Sequence, residues 1–170
     1  MSLVTWASER SDIIMFVWEA MIYAELLMYV GAFYFVYAFY KGTFPSFKTE
    51  LGIFTIFLPL FLFAHTKLNL VAFDFRDCLR NAVEGPLWQY YVYGFEFLFV
   101  GLILSIALIE IKHRRTSHES AREAALVAVG ILALLLSFSL GNIIGSFFDD
   151  WEAGQAGLFG MPIFVAFLGY

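Results

Sequence analysis

The sequence predicts an all-α integral membrane protein, a polytopic bundle of four full transmembrane helices with a short or truncated fifth segment. Three observations predict it. Of the 170 residues, 61% are hydrophobic and 15% charged, against about 45–50% and about 25% in ordinary soluble domains. The apolar residues gather in long blocks, and a run of about 18 or more reads as a membrane span. The charges stand mostly at the ends of those blocks. A soluble chain of this length has no core large enough to hide so much apolar surface. The whole chain, 1–170, reads as one membrane-embedded domain.

The first span is expected from Asp12 to Tyr40. At about 1.5 Å per residue it measures roughly 43 Å, so it tilts or begins as an interfacial turn. The second is expected from Leu51 to Phe73, with Pro59 removing one helical hydrogen bond and kinking it. The third runs from Leu87 to Ile111, after Gly85-Pro86, where proline suits a helix start. The fourth runs from Ala124 to Phe148. A last apolar stretch, Gly157 to Tyr170, measures only about 21 Å as a helix. It is either a re-entrant or interfacial piece or the start of a fifth span, and the missing polar flank favours the latter. No basic run precedes the first block, and that block is far longer than a signal h-region, so no cleavable signal peptide is expected.

Four crossings put the N-terminus and the 74–86 and 149–156 loops on one side of the bilayer. The 41–50 and 112–123 loops fall on the other. The first side carries three bases, Arg10, Arg76 and Arg80; the second carries six, Lys41, Lys48, Lys112, Arg114, Arg115 and Arg122. The excess of positive charge on cytoplasmic loops then places the N-terminus outside. Trp6, Trp18, Tyr37, Tyr40, Trp88, Tyr90, Tyr91 and Trp151 fall at span ends, as interfacial anchors do. The expected partners are the lipid bilayer and either further copies of the chain or a larger membrane complex. No basic stripe with interleaved aromatics exists, which argues against nucleic acid.

Ionisable residues inside spans are costly and tend to mark function. Here they are Glu19 and Glu25 in the first span, His65 and Lys67 in the second and Glu96 in the third, with Asn142 adding an amide in the fourth. Measured from the side of the N-terminus, Glu25 lies about 16–20 Å deep, Glu96 about 13 Å, His65 about 12 Å, Glu19 about 10 Å, and Lys67 and Asn142 about 9 Å. Four antiparallel helices thus bring polar groups to one half of the bilayer. His65 and Lys67 project about 200° apart, and Glu19 and Glu25 about 240° apart, so one of each pair faces elsewhere. The inner set is expected to be Glu25, His65, Glu96 and Asn142, with Glu19 and Lys67 secondary and able to reach the interface. Such a set suits an interhelical hydrogen-bonded cluster, a path for protons, ions or small solutes, or a catalytic pocket for a lipophilic substrate.

Metal and cofactor signals are weak. Cys78 is the only cysteine, and no two histidines have ligand spacing. His65 alone lies within a span, which argues against a bis-histidine haem and leaves any cofactor unknown. No nucleophile-elbow, zinc-protease, phosphate-loop or C-x-x-C motif occurs. On the fourth span Ala133, Ser137, Gly141 and Gly145 recur every four residues, a small-residue stripe that admits a close helix of the same chain or of another copy. In the 74–86 loop, Asp74, Arg76, Asp77, Arg80 and Glu84 form a mixed-charge run that suits a solvated face or a path mouth. The expected role is transport of a small solute, ion or proton, or a subunit of a larger membrane complex. An intramembrane enzyme acting on a lipid or isoprenoid, and a purely structural subunit, are the alternatives.

Overall fold

The computed structural model describes residues 11–74, 81–113, 118–148 and 154–168. The expectations for Trp6, Arg10, Arg76, Asp77, Cys78, Arg80, Arg114, Arg115 and Trp151 fall outside these residues, as do the side chains of Asp74 and Trp88. The described chain is dominated by helices: α1 (Ser11–Lys41), α2 (Phe47–Phe63), α3 (Tyr93–His113), α4 (His118–Phe148) and the short α5 (Gly160–Leu168). Between α2 and α3 stand two strands, β1 (Leu70–Asp74) and β2 (Asn81–Glu84), then a π-helical turn, Leu87–Val92, leading into α3. A 3-10 turn, Gln155–Phe159, leads into α5.

Among the described residues, three helices are long and apolar enough to cross a membrane, over Asp12–Lys41, Gln89–His113 and Ala121–Phe148. An integral membrane location follows from them. Many large apolar side chains on these helices are exposed, among them Phe35, Leu102, Leu108, Leu136 and Leu140. In water such a surface would aggregate; in a bilayer it meets lipid tails.

The second expected span is corrected. The apolar run 51–73 does not form one helix: α2 starts earlier, at Phe47, and stops at Phe63. The cause is local. The Thr66 hydroxyl donates to the Phe63 carbonyl at 2.6 Å, and the Asn69 amide donates to the Ala64 carbonyl at 2.8 Å. These side chains satisfy acceptors that a continuing helix would have used. Backbone turns follow, Thr66 N–H to Phe63 O at 3.0 Å and Asn69 N–H to Thr66 O at 3.0 Å. The chain then enters β1, which pairs antiparallel with β2 in the register Ala72–Val83, Phe73–Ala82 and Asp74–Asn81. Pro59 lies inside α2, where it supplies no helical N–H to the Thr55 carbonyl one turn earlier.

The described residues divide into two compact units, those of 11–28 with those of 46–94, and those of 29–45 with those of 95–168; α1 contributes its first part to one and its second part to the other. In the first unit α2 runs antiparallel to α1. Tyr23 stacks on Phe61 with ring centroids 5.4 Å apart, and its hydroxyl donates to the Leu60 carbonyl at 3.3 Å. The Tyr91 hydroxyl, from the π-helical turn, donates to the Ile56 carbonyl. In the second unit the buried residues form helical stripes. On α1 they are Tyr29, Phe33, Val36 and Tyr40; on α3, Glu96, Phe99, Ile103 and Ala107; on α4, Ala124, Ala128, Ile131, Leu135 and Ser139. Spacings of three and four are those of one helix face. Phe99 stacks on Phe95 at 4.5 Å and meets Phe33 edge-on at 5.7 Å. Lys41 at the end of α1 pairs with Glu110 of α3. Gly42, at φ 67°, ends α1 in the left-handed conformation that glycine adopts without strain, with its N–H on the Ala38 carbonyl at 2.9 Å.

Candidate functional site

In the second unit the polar members of the α3 and α4 stripes meet. Glu96 has no exposed surface, and Ser139 is 1% exposed. The Ser139 hydroxyl donates to Glu96 Oε2 at 2.7 Å. Its oxygen lies 2.6 Å from the hydroxyl of Tyr29, itself fully buried, and the Tyr29 hydroxyl also reaches the Leu135 carbonyl at 3.2 Å. Leu135 and Ser139 are one turn apart on α4, so the phenol docks on a single turn of that helix. The local reason is periodicity. Glu96 falls three residues before Phe99, and Ser139 four after Leu135, so each replaces an apolar residue on an inward stripe. A buried carboxyl costs several kcal/mol without partners, and a hydrogen bond to a charged group returns roughly 1.5–3 kcal/mol.

The other expected residues are distributed as follows. Glu25 is buried on α1 in the first unit. Glu19 is also buried there, and its Oε2 lies 2.5 Å from His65 Nδ1. His65, expected in the inner set at about 12 Å depth, stands two residues beyond the end of α2 with its side chain 67% exposed. The inner and outer places of Glu19 and His65 are thus exchanged, because α2 ends before the histidine. Lys67 is exposed in the same turn. Asn142 is half-buried on α4 and lines a cavity of about 170 Å³ with Phe138, Gly141, Gly154, Gln155 and Leu158.

The small-residue stripe receives a segment of the same chain. A Cβ built on Gly141 would lie 2.4 Å from the Gly154 carbonyl oxygen, and one on Gly157 would lie 2.5 Å from that of Ser137. Gly154 approaches the backbone of Gly141 and Gly145 in the same way. This is backbone against backbone, the packing small residues permit in membranes. Ala133 is half-buried farther along α4. Among the described residues no three His, Cys, Asp or Glu side chains are placed to hold a metal ion.

Sequence reasoning missed Ser139 and Tyr29. A serine in an apolar helix ordinarily bonds its own backbone, and Tyr29 is one of nine tyrosines. The available signal was spacing: Ser139 lies three residues before Asn142, on nearly the same helix face, and Tyr29 four after Glu25. Comparison with protein-family models, with curated proteins and with solved structures finds no match to this chain.

Proposed function

We propose that the chain moves a small ion or proton in the membrane, alone or as a subunit of a larger membrane complex, with Glu96 as the working group. The observation that carries this reading is the burial of an ionisable carboxyl on an apolar helix, hydrogen-bonded to a serine that is itself bonded to a buried tyrosine. Ionisable groups at such places are costly to keep and mark ion or proton sites. The enzyme alternative has less support. The apolar groove of about 440 Å³ along Pro59, Phe63, Leu68, Pro86, Leu87, Tyr90 and Tyr91 has no carboxyl or imidazole among those lining residues.

The test is flux in vesicles reconstituted with the full chain, read with pH-, sodium- and potassium-sensitive dyes. Glu96→Gln is expected to cut the flux roughly a hundredfold, the scale on which losing one positioned proton-transfer group acts. Full flux in the variant, or no flux above empty vesicles in the parent, would remove the reading and leave a structural subunit.

We also read α2 as a fourth crossing and place the N-terminus outside. The antiparallel pairing of α2 with α1 and the three-to-six base count support this. In right-side-out vesicles of a Cys78→Ser chain, a cysteine at Lys48 is expected to resist an impermeant thiol reagent and one at Ser2 to react. The opposite pattern would invert the topology.

A further inference from the structure

The chain of hydroxyls on Glu96 specifies more than a charged site. We propose that the species taken up at Glu96 is a hydrogen ion, rather than a metal cation or an organic solute, and that Ser139 and Tyr29 make the exchange possible by reversing the direction of their hydrogen bonds. This rests on Glu96 being the working group of the function proposed above.

The distances come first. Glu96 Oε2 to Ser139 Oγ is 2.7 Å, and Ser139 Oγ to the Tyr29 hydroxyl is 2.6 Å. Oxygens that share a metal ion stand farther apart. At a magnesium–oxygen distance of about 2.0–2.1 Å, adjacent ligands of an octahedron are about 3 Å apart, and larger ions spread them further. Separations of this size hold a proton.

The proton count comes second. A serine hydroxyl has one proton and two lone pairs, so between two oxygens it accepts from one and donates to the other. With Glu96 ionised, Tyr29 O–H donates to Ser139 and Ser139 O–H donates to Glu96. With a proton on Oε2, Glu96 O–H donates to Ser139, Ser139 O–H turns to the Tyr29 oxygen, and Tyr29 O–H turns to the Leu135 carbonyl at 3.2 Å. That last acceptor gives the reversed order a terminus. A carbonyl has a second lone pair to spare beyond its helical bond. One O–H bond forms at Glu96, the hydronium ion that brings the proton becomes water, and both hydroxyl O–H bonds rotate without breaking. Neither state strands a hydroxyl proton, which is what a buried group must satisfy to change charge at small cost.

From α1 it is Tyr29 that reaches the chain, with Glu25 four residues earlier on that helix, and from α4 Ser139 faces it. Residues Gly160–Leu168 of α5 carry no titratable group. Glu110, paired with Lys41, is about 21 Å farther along α3, and Arg122 and Glu123 precede Ser139 by about 24–26 Å along α4.

Infrared difference spectroscopy of the full chain in vesicles across a pH step tests the idea. It follows the carbonyl stretch of a protonated carboxylic acid. The parent is expected to show a titrating band that Glu96→Gln removes. Ser139→Ala is expected to move that band to higher wavenumber, because the acid loses its hydrogen-bond acceptor. Ser139→Thr, which keeps the hydroxyl, is expected to restore the parent position, and Tyr29→Phe to shift it less than Ser139→Ala. A band unmoved by Ser139→Ala, no titrating band at all, or a band displaced by sodium, potassium or magnesium chloride at constant pH would overturn the proposal. A titrating, Ser139-sensitive band without flux would defeat the transport reading and leave proton exchange standing. Flux lost in Glu96→Gln without a titrating band would do the reverse.

Discussion

Gly85→Ala is expected to unfasten the hairpin from the turn that ends α2, at a cost of about 3 kcal/mol or more. A Cβ at this position would lie 2.2 Å from the Leu68 carbonyl oxygen, 2.6 Å from its carbon and 2.8 Å from the Lys67 oxygen. All three are backbone atoms, so no side-chain rotation relieves the clash. The approach is fixed from both sides: Gly85 N–H donates to Asn69 O at 2.7 Å, and Leu87 N–H donates to Leu68 O at 2.8 Å. Overpacking alone costs about 1–3 kcal/mol, and opening the turn removes these bonds as well. Denaturant unfolding in micelles gives the stability, and amide exchange at Gly85 and Leu87 gives the local opening. Gly94→Ala is the control, since a Cβ there meets nothing within 4 Å. Equal stability and equal exchange in the two variants would contradict the close approach.

The second large effect belongs to the end of the described chain. Gly157→Ala puts a methyl 2.5 Å from the Ser137 oxygen and 3.2 Å from the Gly141 Cα. We expect it to lift residues 154–168 off α4 and to cost about 2–3 kcal/mol. Gly141→Ala collides with the Gly154 oxygen and should act alike. Because one displacement relieves both clashes, the double variant should cost less than the sum of the singles. Limited proteolysis in micelles reports the release, as faster cleavage after residue 154. Gly101→Ala, in open space on α3, should instead gain up to about 1 kcal/mol from helix propensity. Cleavage of Gly157→Ala at the parent rate would mean that the stripe does not hold the terminal segment.

The three long helices were legible because each is a long apolar block with few charges inside it and most of its charges at its ends. The region 64–84 was not. Leu70 to Phe73 is apolar and continuous with the helix before it, and a short apolar run has no period that separates strand from helix. What divides them is three polar side chains, Thr66, Asn69 and, through its pairing with Glu19, His65. A hydropathy reading counts such residues as brief interruptions; the backbone uses two of them as caps. The same blindness affected the site. Glu96 announces itself as a charge in an apolar helix, and the sequence reading grouped it with Glu25, His65 and Asn142. The structure gives it a serine instead, a neutral hydroxyl that composition cannot distinguish from any other. Glu19, read as secondary, takes the histidine once α2 stops short. Small residues at intervals of four, by contrast, carry their meaning in the spacing, and the terminal segment sits against three of those four positions.

The length of α2 has a consequence for the membrane around it. Its 17 residues measure about 25 Å, roughly 5 Å less than the hydrocarbon thickness of an average bilayer. The hairpin that follows cannot make up the difference among lipid tails, since its outer edges carry N–H and C=O groups that hydrocarbon leaves unsatisfied. On the proposed reading of α2 as a crossing, it would draw the two headgroup layers together along its flank. Acyl-chain length would then be a variable to which this protein responds, and thin membranes the ones in which it rests with least distortion.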